Sequence, residues 1–400
     1  MRGFKRDLLT NFVSKILIFG LVFLSSVIIS RSLGPEGKGV YALAILLPAI
    51  IITFSEFGVG AASVYYIGQG KYSVKKIFGT NIIFTILISL LATAIGLIVI
   101  TYFRETLFPG VESRYLILSL FMIPFNVLIT FVSDVLLGLK RIISYNLASV
   151  IKSATFMLLA IIFLIFLKAG ILAAILAQIL ALVTASITLL IVTYKIVGGI
   201  DFRVNKEIFK DFYSYSIKSY FGNVAMYLHL RVDIWMINAL INPMAVGFYS
   251  ISVALAEQLW IISRSAATAL FPRVASEKNE ARKAAITPLV TRNVVFITTI
   301  ISIALLITGR WFILFFYSSE FLDSVLPFKI LLVGAVAIGG MRVLTNDIAG
   351  RGRPIINTYV AVISLLVNVV LNIIMIPRLG IVGAAWATAT SYTLAFATKT

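Results

Sequence analysis

The residues of this chain that could do chemistry are charges set inside long apolar runs. Lys218, His229 and Asp233 are spaced by 11 and 4, which places them on one helical face, with Arg231 pointing roughly the other way. Glu257 and Arg264, seven apart, share a face with Trp260 between them. Lys15, Glu56, Asp134, Lys152, Arg342 and Asp347 complete the set. A charge at the centre of a bilayer costs on the order of 2.5–3.5 kcal/mol, so such groups should face a cavity or a partner. Arginine suits bidentate contact with phosphate, and lysine acts as a point charge. His229 is the only histidine; with Asp233 four residues on, it could relay a proton, or simply be hydrogen-bonded within a bundle. Local pairing is the blander reading of the others: Glu56 with Arg264 or Lys15, and Asp233 with Arg231 or His229. Lys15 and Lys152 are also long enough to snorkel to headgroups, and Arg342 and Asp347 could close the end of a span.

Other chemistries are excluded. There is no cysteine, hence no thiol catalysis and no thiolate metal site. No metal-ligand cluster or nucleophile triad is visible, and no cofactor is implied. The stretch Gly34 to Gly39 contains Gly-Lys, but it lacks the Gly-Lys-Ser/Thr of a phosphate loop and follows an apolar helix, not a strand.

The elements that must position these charges are membrane helices. Sixty per cent of the 400 residues are hydrophobic and 12% charged, and the mean hydropathy is +1.05. A bilayer core needs roughly 20 helical residues. Spans are expected near 11–32, 39–60, 79–102, 115–138, 144–167 and 170–194, then near 212–240, 245–270, 289–316, 325–349, 355–376 and 380–398. Gly34-Pro35, Pro109-Gly110, Gly198-Gly199, Asn242-Pro243 and Pro377 punctuate them. Met1 to Asp7 is basic and leads into an apolar run longer than a signal-peptide core, read here as the first span. The net charge of +18 lies mostly between the runs, which points to anionic lipid headgroups and topology, not to nucleic acid. With the N-terminus inside, the inner loops hold about 18 basic residues against 7 outside. Both termini are therefore expected in the cytoplasm.

The chain also repeats itself at a spacing of 208–212. Leu33-Gly34-Pro35 and onward to Tyr41 aligns with Ile241-Asn242-Pro243 to Tyr249. Gly138-Leu139-Lys140-Arg141 aligns with Gly350-Arg351-Gly352-Arg353, and Lys168-Ala169-Gly170-Ile171 with Arg378-Leu379-Gly380-Ile381. Two six-span halves that enter the membrane in the same direction are related by an axis along its normal. The expected division is a lobe over 1–196, a cytoplasmic linker over 197–211 and a lobe over 212–400. Glu56 occupies the repeat position of Arg264, an offset of 208.

These turns resemble a known family. Arg31-Ser32-Leu33-Gly34-Pro35-Glu36-Gly37-Lys38-Gly39-Val40-Tyr41, the Gly-x-x-Arg turns and Pro377-Arg378-Leu379-Gly380-Ile381-x-Gly383-Ala384-Ala385 are similar to polysaccharide (oligosaccharide-lipid) flippases of the multidrug/oligosaccharidyl-lipid/polysaccharide exporter superfamily. The resemblance implies an all-α membrane protein of about twelve helices, in two pseudosymmetric six-helix lobes forming a V-shaped alternating-access transporter. It also implies movement of polyprenyl-diphosphate-linked oligosaccharide, a cell-surface polysaccharide precursor, from the inner to the outer leaflet. On that reading Lys15, Lys152, Lys218 and Arg264 form a cationic inner vestibule for the diphosphate, and Glu56, His229, Arg231, Asp233 and Glu257 serve ion coupling or gating. The expected setting is a prokaryotic cell membrane. The expected partners are the lipid-linked substrate, anionic phospholipids and other polysaccharide-assembly proteins, and the chain is expected to act as a monomer without nucleic acid. The same fold could instead export small amphipathic compounds with ion coupling. A glycan polymerase or ligase would need a substantial outer loop with catalytic groups, which the sequence lacks, so the chain is not expected to be an enzyme.

Overall fold

The computed structural model describes residues 2–203, 206–276 and 279–400, which form helices joined by short turns, with no strand among them. The helices are α1 (Arg2–Ser55), α2 (Val59–Gln69), α3 (Val74–Leu107), α4 (Ser113–Leu120), α5 (Met122–Gly138), α6 (Ile142–Ala160) and α7 (Gly170–Val197). They continue as α8 (Lys206–Leu240), α9 (Pro243–Glu257), α10 (Trp260–Ser276), α11 (Glu280–Tyr317), α12 (Val325–Gly350), α13 (Pro354–Leu379) and α14 (Ile381–Ala397). Eight helical segments are long and apolar enough to cross a membrane, or nine with α9 and α10 taken as one bent span. The first of these, Val13–Ser55, contains two expected spans. The remaining two are α8, which carries Lys218, Arg231 and Asp233, and α14, 17 residues long. Each of the twelve expected spans thus has its helix.

The chain divides into two compact units. One comprises Met1–Glu105 with Val111–Tyr220, the other Thr106–Gly110 with Phe221–Thr400. In the first unit, α1 turns at Gly34, whose φ of 66° is left-handed, a conformation open to glycine at little cost. Pro35 lacks an N–H and suits the restart of the helix. The second span breaks again at Glu56–Gly58, where Phe57 and Gly58 have φ of 45° and 73°, and resumes as α2. The core joins α1, α5, α6 and α7 through Ile29, Tyr41, Ala44, Met122, Ala160 and Ile175. Residues 198–203 and 206–213 dock on the same unit. The Asp201 N–H donates to the Lys75 carbonyl at 3.1 Å, Phe212 is fully buried, and its ring stacks on Tyr66 at 5.6 Å. Lys71 bonds Asp211 at 2.5 Å, and the Tyr72 hydroxyl donates to the same oxygen at 2.6 Å. These two donors hold the Asp211 carboxyl below the usual carboxylate range, and its charge raises Lys71 in turn.

In the second unit α12 is the central helix, packed against α9, α10, α11 and α14. Its small residues Gly334, Ala335, Gly339 and Gly340 permit close approach; Gly340, for example, lies against Phe396.

The repeat is visible in the backbone. Lys140 and Gly352 are both left-handed, with φ of 57° and 78°. The Arg141 N–H reaches back to the Leu136 carbonyl at 2.8 Å and the Arg353 N–H to Ile348 at 3.1 Å, the same closing bond of a helix C-terminus in each half. Gly170 and Gly380 match as well, at 70° and 61°. The first landmark pair differs. Asn242 is extended, with φ of −177°, and its side chain caps the Ala245 N–H at 2.9 Å, where Gly34 turns left-handed. A Cβ at Gly383 would collide with the Met375 carbonyl oxygen and crowd the Ile376 N–H, which are backbone and cannot yield. Gly383→Ala is expected to cost about 1–3 kcal/mol, read as a lowered Tm in detergent. Gly20→Ala, with nothing within 4 Å, should not lower it; equal melting of the two would refute the close approach.

Candidate functional site

The charges of the second unit gather where α9 gives way to α10. The helix there bends by 41°, and the joint is closed by short-range bonds: Gln258 N to Leu255 O at 3.3 Å, Leu259 N to Ala256 O at 3.2 Å and Ile262 N to Leu259 O at 3.3 Å. These are one residue tighter than α-helical bonds, as in 3₁₀ turns. Glu257 ends α9 and Trp260 begins α10. Glu257 receives both terminal nitrogens of Arg231, at 2.5 and 3.1 Å, one to each oxygen. Arg231 therefore pairs with Glu257, not with Asp233 two residues along its own helix.

Trp260 is buried at 4% exposure and carries two arginines. The guanidinium of Arg342, from α12, lies 4.4 Å from its ring centroid and that of Arg264, from α10, 5.7 Å. Neither makes an ion pair among the described residues. The Arg342 Nε and the Trp260 Nε1 are buried without a hydrogen-bond partner. Two guanidiniums on one indole, with the local carboxylate already engaged, leave positive charge that an anion would satisfy. Arg342 was not among the residues the sequence singled out for binding. Its signal was its charge within an apolar span, and its place beside Arg264 at the same indole is set by packing between helices, which spacing along one chain does not report.

One turn away lies a buried polar network. Asp233 is 2% exposed. It accepts from the hydroxyls of Tyr249 at 2.6 Å and Thr388 at 3.1 Å and from the Ile234 N–H at 2.8 Å. Asn368 donates toward Thr388 and Ser391, both at 3.3 Å, and receives from Asn372 at 3.0 Å. His229 meets Ser391 at 2.8 Å. The His229–Asp233 pair expected from spacing is thus replaced by a route through α13 and α14. Tyr249, Asn368, Asn372, Thr388 and Ser391 were missed because only ionisable groups were sought; the i, i+4 pair Asn368 and Asn372 within an apolar span was the available signal.

In the first unit Glu56 sits at the break before α2, facing Asp134 and the Thr130 hydroxyl, and forms no ion pair with Lys15 among the described residues. Lys15 is exposed on α1 and Lys152 half-buried on α6. The side chain of Lys218 lies outside the described residues. Within its own unit, each of these three lysines remains a site expectation, while Arg264, Arg231, His229, Asp233 and Glu257 come together in the second unit.

A fully helical chain with these paired six-span repeats and buried charges is a membrane transporter fold. Over residues 4–278 it matches the family described as polysaccharide biosynthesis protein, and the chain belongs to that family. It is 27% identical over 194 residues, 46% of its length, to the Probable low-salt glycan biosynthesis flippase Agl15 of Haloferax volcanii, and spans 39% of that protein. It is 22% identical to an uncharacterised membrane protein of Methanocaldococcus jannaschii, covering 95% of this chain and 92% of that one. Among solved structures, the lipid II flippase MurJ in an inward closed conformation superposes with a TM-score of 0.83 at 15% identity, over 98% of this chain and 86% of MurJ. An inward-facing multidrug resistance MATE transporter gives 0.76 at 16% identity, over 95% of this chain and 92% of that one. The fold is therefore that of the multidrug/oligosaccharidyl-lipid/polysaccharide exporter superfamily, and the chain is a multi-pass membrane protein.

Proposed function

We propose that this protein flips polyprenyl-diphosphate-linked oligosaccharide from the inner to the outer leaflet of a prokaryotic cell membrane by alternating access, with both termini in the cytoplasm. The observation that carries this reading is the pair of arginines on Trp260, neither of them in an ion pair among the described residues. A diphosphate presents two adjacent anionic centres, and two guanidiniums can each take one in a bidentate contact. The glycan family to which the chain belongs supports the cargo class. The protein performs transport and makes or breaks no bond in its cargo. Lys15, Lys152 and Lys218 are candidate cations of the first unit for a diphosphate headgroup, and lipid-linked sugar, anionic phospholipid and other assembly proteins are the protein's partners.

The test is a leaflet-protection assay in proteoliposomes with three cargoes: a polyprenyl-diphosphate glycan, its monophosphate counterpart and a small amphipathic cation. The diphosphate glycan should cross fastest. Export of the amphipathic cation alone would replace this reading with the drug-exporter one, which shares the fold.

A further inference from the structure

The polar network at Asp233 and the ion pair at Glu257 are separated by a small cavity inside the second unit. Its volume is about 10 Å³, and Asp233, Glu257, Trp260, Thr388, Tyr392 and Ala335 are among its walls. A space of about one probe sphere, roughly 10–15 Å³, holds a single water, provided two to four polar groups can bind it. Asp233 and Glu257 offer acceptors and Thr388 a hydroxyl. Trp260, buried at 4% exposure, brings an indole N–H with no protein partner. Trp260 is one wall of this water-sized space, and a buried donor without a protein partner calls for a bound acceptor.

We infer that this cavity holds one water that passes a proton between Glu257 and Asp233. Glu257 is the entrance. Its side chain is 20% exposed, whereas Asp233 is 2% exposed. A proton from the aqueous side first neutralises Glu257 and loosens its hold on Arg231. The Glu257 O–H bond then breaks as its proton goes to the water oxygen, and the water gives one of its own protons to the Asp233 carboxylate. Glu257 returns as a carboxylate to Arg231, Asp233 becomes a carboxylic acid, and the water is regenerated. The charged and titratable groups around the relay are Tyr227, His229 and Arg231 from α8, Tyr249 from α9, Arg264 from α10, Arg342 from α12 and Tyr392 from α14. Tyr249 and Thr388 stay bonded to Asp233 in either state, since a hydroxyl can donate or accept. The relay is a property of the second unit and applies to either cargo considered above.

The experiment reads proton movement, not transport. The full chain in nanodiscs is subjected to a pH jump, and the carbonyl stretch of protonated Asp233 is followed by infrared spectroscopy. The band is assigned as the one absent from Asp233→Asn. Ala335→Val and Ala256→Val each intrude on the cavity from outside the charged cluster. Either should slow the rise of the band about tenfold or more, as for loss of a one-water proton-transfer step, without changing its final amplitude. Glu257→Gln, which cannot release a proton, should slow it likewise. If Ala335→Val does not fold, Ala256→Val carries the same test. An unchanged rate in the cavity variants and in Glu257→Gln would overturn the relay. So would the lack of any Asp233-dependent band between about pH 4 and pH 9, a range that spans ordinary carboxyl and histidine titration.

Discussion

Replacing Arg264 and Arg342 together by glutamine should slow flipping of a polyprenyl-diphosphate glycan by about 10²–10⁴-fold in proteoliposomes. The estimate follows from hydrogen bonds to charged groups, worth roughly 1.5–3 kcal/mol each, lost at two sites. Tenfold corresponds to about 1.4 kcal/mol. The fold should survive, because the change removes two like charges on one indole, neither of which is in an ion pair among the described residues. Arg342→Lys separates charge from shape. A lysine keeps the point charge but neither the planar fork nor the stack 4.4 Å from the indole, so an intermediate loss of about tenfold is expected, as for one weakened contact. Single and double variants flipping at the unaltered rate, with protein levels held equal, would remove the arginines from the substrate path.

The second large effect concerns stability. Glu257→Ala strands Arg231, a guanidinium whose side chain is only 27% exposed. Removal of one partner of a buried pair costs about 3–5 kcal/mol. Arg231→Met combined with Glu257→Leu removes both charges and fills the space, and such replacements are often neutral or stabilising. Melting in detergent should therefore place the double variant near the unaltered protein and Glu257→Ala well below both. If the double variant melts as low as the single one, the pair is not held together as an isolated buried unit, and the cluster contributes by some shared contact instead.

Much of this architecture was written in one-dimensional pattern. Twelve apolar runs, each bounded by glycine, proline or basic residues, are enough to place each span, because lipid requires each span to satisfy its own backbone. Gly170 and Gly380, or Lys140 and Gly352, could be matched from the sequence because the turns that hold them recur in the same order at a spacing of 210–212. The bend between Glu257 and Trp260 could not. It contains neither glycine nor proline, and its tighter turn is fixed by what packs around it. The partners of the buried charges were hidden for a similar reason. Helical spacing shows which side chains share a face, as His229 and Asp233 do, but each turns to a hydroxyl on α14, more than 150 residues away in sequence. Arg231 finds Glu257 at a separation of 26. Such pairings belong to the packing of helices, and no periodicity within one helix records them.

The interruption of the second span at Glu56–Gly58 bears on how much of a membrane potential a charge placed there would sense. Lipid offers a broken helix no hydrogen bonds, and here protein groups meet the backbone, the Val59 N–H bonding the Glu56 carbonyl and the Ala61 N–H the Gly58 carbonyl, both at 3.1 Å. Water drawn to a carboxylate at Glu56 would raise the local polarisability, so that the electrical potential would fall mainly across the remaining dry thickness. A charge near Glu56 would then sit close to one edge of the field and sense a smaller fraction of it than its depth in the bilayer suggests. Gating charge measured for movements at this site should accordingly be less than one elementary charge.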